Sequence, residues 1–116
     1  MIDNWIKEIK ANPKSQSAGM ILIHNGIVRE TSKDGKAVKG MKLSYNKEKL
    51  EQAINQIKTK DGIIDVKVWI NEGELKVGDD IMIVLVAGRL RTDVFPALQE
   101  LVAKIKNEVV NEEEIF

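Results

Sequence analysis

The sequence predicts an α+β fold, a layered sandwich of three helices on a largely antiparallel sheet. Three observations carry this. Residues 81–87 are continuously apolar, as in a central strand buried on both faces. The stretches around 46–60 and 92–109 repeat apolar residues at helical spacing, with charged residues between them. The remaining apolar runs are short, rich in Ile and Val, and separated by glycine-containing turn signals. A length of 116 residues implies one domain over 1–116.

Along the chain, Ile2, Trp5, Ile6 and Ile9 recur at helical spacing, and Asn12-Pro13 closes that first helix. Residues 15–18 read as a loop. Residues 19–29 favour a strand, in which Gly26 suggests a bulge or a close backbone approach. Asp34-Gly35 centres a turn signal over 31–36, and a second strand is expected over 37–45. Asn46 is placed to cap a helix whose apolar stripe is Leu50, Ala53, Ile54 and Ile57, and Asp61-Gly62 ends it. Strands follow at 63–70, 75–77 and 81–87, with turns at Asn71-Glu72-Gly73 and Gly78-Asp79. Thr92 or Asp93 is expected to cap the last helix, with Pro96 in its first turn. Val94, Leu98, Leu101, Val102, Ile105 and Val109 form its predicted buried face. The remaining 111–116, with Glu112, Glu113 and Glu114, reads as a solvated acidic terminus. The predicted order is α-β-β-α-β-β-β-α.

Composition narrows the function. Eighteen basic and eighteen acidic side chains leave no net charge, which argues against a nucleic-acid or membrane-surface protein. The absence of cysteine excludes disulfides, thiolate metal sites and cysteine nucleophiles, so any sulfur chemistry must use sulfur from elsewhere. The first residues lack the basic and apolar regions of a secretory signal, and no apolar run is long enough to span a bilayer. The cytoplasm is the expected compartment. Neither a metal site nor a cofactor is called for, because no ligand spacing is visible.

The sharpest signal is the use of arginine. Fifteen lysines stand against three arginines, Arg29, Arg89 and Arg91, each near the end of an apolar strand. The planar guanidinium donates two parallel hydrogen bonds to a phosphate or carboxylate. Thr92 and the start of the last helix could add backbone N–H donors beside Arg91. This is one reading, a pocket for a phosphorylated small molecule; ordinary ion pairing is the other. His24, the single histidine, reads as structural, since it has no partner for a metal site.

Four segments, in order along nearly the whole chain, carry a family resemblance. Ser17-Ala18-Gly19, the strand after it and Gly26-Ile27-Val28-Arg29 form the first. Leu43-Ser44-Tyr45 before an amphipathic helix is the second, and Glu72-Gly73-Glu74-Leu75 through Val77-Gly78-Asp79 the third. Gly88-Arg89-Leu90-Arg91-Thr92-Asp93-Val94-Phe95 is the fourth. Together they resemble the large (catalytic) subunit of molybdopterin synthase. The resemblance implies that two sulfur atoms pass to a phosphorylated pterin substrate. The sulfur would come from a thiocarboxylate at the C-terminus of a ubiquitin-like small subunit. It implies a homodimer of large subunits, Arg29 and Arg91 near the substrate's anionic group, and Lys106 on a helix position that holds lysine in the family. The sequence departs from the pattern where Leu90 replaces a histidine and Ile70-Asn71 replaces His-Arg. It departs again where Glu113 falls near a catalytic lysine. Lys106 or Lys104 is then the candidate catalytic amine. The alternatives are a non-catalytic dimeric homologue, that is a pseudoenzyme, and a binding module for another anionic metabolite.

Overall fold

A computed structural model describes all 116 residues. Its elements are α1 (Ile2–Ala11), a 3-10 turn (Pro13–Ser17), β1 (Met20–Ile27), β2 (Gly40–Tyr45), α2 (Lys47–Lys58), β3 (Ile63–Ile70), β4 (Gly73–Lys76) and β5 (Asp80–Gly88). They continue through α3 (Arg91–Lys104), a π turn (Ile105–Val109) and β6 (Val110–Ile115). The α+β class and its antiparallel pairing are as the sequence predicts. The predicted loop over 15–18 is largely 3-10 helix.

The strands form two three-stranded sheets, ordered β1-β5-β3 and β4-β2-β6. Every pairing is antiparallel. β5 is the central strand of the first sheet. Met82, Val84 and Val86 point to one side of it and Leu85 and Ala87 to the other, all fully buried. That two-sided burial is why the run is continuously apolar rather than alternating. The major core joins β5 to α2 and α3 through Ile57, Val94, Leu101 and Ile105, while α1 covers the opposite face with Ile9 and the partly buried Trp5. Gly26 does mark a bulge, because the β1–β5 register slips between Gly26 and Ile27.

Caps and turns account for the ends of the helices. Asn46 accepts a hydrogen bond from the Lys49 amide at 3.0 Å, as expected of an N-cap. The last helix differs from expectation. It starts at Arg91 with Leu90 in the cap position, so neither Thr92 nor Asp93 caps it. Pro96 is its sixth residue and lies in the second turn, where its missing N–H leaves the Thr92 carbonyl without an intrahelical donor. Leu98 and Val102 are only partly buried, and Ala97 takes a place on the buried face.

Two further corrections come from pairing. The turn signal over 31–36 is real, with Gly35 at φ 82° and a single bridge from Thr31 to Ala37. Yet it does not join a hairpin, because β1 and β2 belong to different sheets. The acidic terminus is not merely solvated. It forms β6, paired with β2 from Tyr45–Val110 to Gly40–Ile115. No helix is long and apolar enough to cross a membrane.

Candidate functional site

The end of the molecule near the start of β5 holds a cavity of about 760 Å³. Five separate segments wall it. β1 and the segment after it bring His24, Arg29, Lys33 and Lys36; the π turn brings Lys106 and Asn107; β6 brings Glu112 and Glu114; Met41 and Ile81 close the floor. Because β1 stops at its bulge, the chain leaves the sheet just before Arg29, while Val28 stays buried and bonded to Asp79 and Gly78. That anchor holds the exposed Arg29 at the cavity rim.

Lys106 stands 3.9 Å from a Glu112 carboxylate oxygen, an ion pair too long for a hydrogen bond. That oxygen, Oε1, is enclosed and finds no hydrogen-bond donor. His24 Nε2 is likewise enclosed without a partner. Burial, and then the positive charge of Lys106, hold the His24 imidazole below its ordinary value of 6.5. The folded state thus prefers neutral His24, and the unfolded chain binds the extra proton. Stability is therefore expected to fall as pH drops from about 6.5 toward the lower folded value. Urea titrations of wild type and His24→Asn across that window test this; parallel pH dependences would overturn it.

The sequence-predicted site residues divide. Arg29 and Lys106 share the cavity, but Arg89, Arg91 and Thr92 do not. Met20 pairs with Gly88 and Ile27 with Asp80, so Arg29 follows one end of β5 and Arg89 to Thr92 follow the other. Nine strand residues set these ends roughly 26 Å apart. Thr92 lines a different cavity of about 680 Å³, where Asp61, Asp93 and Glu100 outnumber the one ammonium of Lys60. That charge balance does not suit an anion. Lys104 bonds Gln56 on α2 instead of entering the Arg29 cavity.

Of the Arg29 cavity's wall residues the sequence marks only Arg29 and Lys106; His24, Glu112 and Glu114 carry a structural or solvated reading there, and Lys33, Lys36 and Asn107 carry no signal. Glu113, which falls near the family's lysine along the sequence, stays outside the cavity. Once the tail is a strand, alternation sends Glu112 and Glu114 into the cavity and Glu113 to the outer face, opposite Lys42 and across it from Glu74. Val110 and Ile115 were the only apolar residues hinting at a strand, and they lie on opposite faces.

Comparison with known proteins agrees with this architecture. The MoaE protein family matches residues 3–108. The chain is 30% identical over 107 residues to the molybdopterin synthase catalytic subunit of Pyrococcus abyssi, covering 90% of this chain and 72% of that protein. It is 38% identical over 92 residues to the uncharacterized protein MJ0717 of Methanocaldococcus jannaschii, covering 76% and 77%. Its fold is similar to that of the Staphylococcus aureus molybdopterin synthase, with TM-score 0.79, 23% identity, and coverage of 97% of this chain and 83% of that one. The Burkholderia ambifaria MoaE protein gives 0.77 at 19% identity, over 99% and 82%. The match to the family model therefore stops before β6, whereas the likeness of fold runs on through it. The chain belongs to the MoaE protein family and is a homologue of the catalytic subunits of molybdopterin biosynthesis.

Proposed function

We propose that this protein works in molybdenum cofactor biosynthesis as a large subunit of molybdopterin synthase. The single observation that carries this reading is the meeting of Arg29 and Lys106 in one cavity of about 760 Å³. Arg29 would bind the substrate phosphate through its guanidinium fork. Lys106 would supply the ammonium that stabilises developing negative charge or moves a proton. Sulfur would arrive in trans, on the C-terminal thiocarboxylate of a ubiquitin-like small subunit, in keeping with a chain that has no cysteine. A Helicobacter pylori complex of subunits 1 and 2 of the molybdopterin-converting factor has a chain of similar fold, with TM-score 0.71.

Arg91 enters this site through a second copy. One chain holds Arg29 and Arg91 at opposite ends of β5, so only a neighbour could bring Arg91 to the Arg29 cavity. The surface between those ends suits self-association. β1 is a free sheet edge, an apolar groove runs between it and α3 past Leu22, Leu98 and Val102, and Leu90 and Phe95 are 58% and 54% exposed. A two-fold axis through that groove carries the Arg91 end of each chain to the Arg29 end of the other.

A reconstituted assay tests the activity. The protein is mixed with a thiocarboxylated small subunit and the phosphorylated pterin, and molybdopterin is read by its fluorescent oxidation product. Product is expected, and Lys106→Ala should cost about 100-fold. A second reading, a non-catalytic homologue that keeps fold and dimer, is favoured by Glu112 and Glu114. Their carboxylates face the cavity and oppose an incoming thiocarboxylate and phosphate. No product beside an active family member would sink the first reading and support the second.

A further inference from the structure

The carboxylates on β6 make the cavity two-signed, and that bears on what it holds. Arg29, Lys33 and Lys36 come with one carboxylate, Asp34, from β1 and the segment after it, whereas Glu112 and Glu114 come from the strand that borders β2, with Lys106 beside them. A site for a bare anion gains nothing from these carboxylates; they weaken the field the cations create. A ligand with an anionic group at one end and N–H donors at the other uses both signs.

Glu112 is the better placed acceptor. Register puts it opposite Leu43, in the middle of β6, with its side chain on the cavity face and only 24% exposed. Its nearest cation is Lys106 at 3.9 Å, and one of its oxygens has no hydrogen-bond donor at all. Across the cavity, His24 Nε2 is also without a partner. A largely buried carboxylate that lacks donors within its own chain is costly unless something else supplies them. Two adjacent N–H groups in one plane, as on a 2-amino-4-oxopyrimidine edge, match the two oxygens of a carboxylate.

We propose that Glu112 is a specificity residue, whose carboxylate accepts the paired N–H donors of an aminopyrimidinone ring while Arg29 holds that ligand's anionic group. This rests on the proposed function, which supplies the phosphorylated pterin as the ligand. Glu112 then explains how a site that carries acidic residues still takes an anionic ligand: the second sign recognises the ring.

The probes are pterin-6-carboxylate and lumazine-6-carboxylate, which share ring shape and anionic group but differ at position 2. There the amino group of the pterin is replaced in the lumazine by a carbonyl, which would face Glu112 with an acceptor. Binding to the full chain is followed by the probes' own fluorescence. Wild type is expected to bind the pterin about tenfold more tightly. Glu112→Gln should lose most of that preference while keeping its fold by circular dichroism. Arg29→Ala should weaken both probes alike and leave their ratio unchanged. Equal binding of the two probes by wild type, binding of neither, or an undiminished preference in Glu112→Gln would overturn the proposal. Molybdopterin formation together with equal probe binding would remove the role of Glu112 and leave the proposed function standing. A tenfold preference without molybdopterin formation would do the reverse.

Discussion

In the assay of the proposed function, an equal mixture of Arg29→Ala and Arg91→Ala chains, unfolded and refolded together, is expected to yield about a quarter of the wild-type product, with almost none from either variant alone. The register of β1 on β5 holds the two arginines at opposite ends of the central strand. If a site takes Arg29 from one chain and Arg91 from the other, a mixed dimer contains one site with both arginines and one with neither. Random pairing makes half of the dimers mixed, so about one site in four is intact. Loss of either guanidinium should cost about 100-fold, since one fixed donor aimed at the reacting group's negative charge is worth several kcal/mol. The background against which recovery is read is therefore low. A mixture no more active than its components would show that the two side chains never share a site. Substantial activity of Arg91→Ala alone would assign the anion to Arg29 and its own-chain neighbours.

Replacing Gly88 by alanine is expected to destabilise the fold by about 3 kcal/mol, lowering Tm by roughly 15 °C. Gly88 ends β5 where the start of β3 and the start of α3 converge. An added Cβ would stand 2.5 Å from the Gly62 carbonyl oxygen and 2.6 Å from a Val94 methyl. The first of these neighbours is backbone, and its own position is fixed, because the Gly62 carbonyl accepts the Arg89 amide at 2.8 Å. Gly62 cannot retreat easily either, having φ +80° and the Asp93 carboxylate against its α-carbon. Relief must come from shifting the first turn of α3, which also carries Arg91. Gly73→Ala is the control: its φ of +129° makes alanine strained, but nothing lies within 4 Å. It should cost about 1 kcal/mol by comparison. Denaturant melts of the two variants decide the matter, and a Gly88→Ala protein within about 0.5 kcal/mol of wild type would refute the close packing at this junction.

Much of the site's chemistry was visible in composition, and its geometry was not. The scarcity of arginine singled out Arg29, and the family resemblance singled out Lys106; these two do line one cavity. Arg89, Arg91 and Thr92 carried the same residue-type signal but sit at the far end of β5. Residue type reports what a side chain can bind, while its neighbours are set by pairing over dozens of residues. Glu113 illustrates the same point. Its place beside a family lysine is a matter of alignment, but which face it occupies depends on the parity of β6, and one position's shift exchanges it for Glu112.

By itself the sequence determined most of what depends on neighbours within one or two turns of chain, though not the cap of α3, where Leu90 stands in place of Thr92 or Asp93. It specified α2 with its Asn46 cap, the two-sided burial of 81–87, the Gly26 bulge and the α+β class, because hydrophobic period and backbone preference are local. Only the tertiary structure decided that six strands divide into two sheets, that 110–115 forms the last of them, and that Arg29 and Arg91 part. Strand partners are chosen by cross-strand hydrogen bonds and shared burial between distant segments, and no local period encodes them.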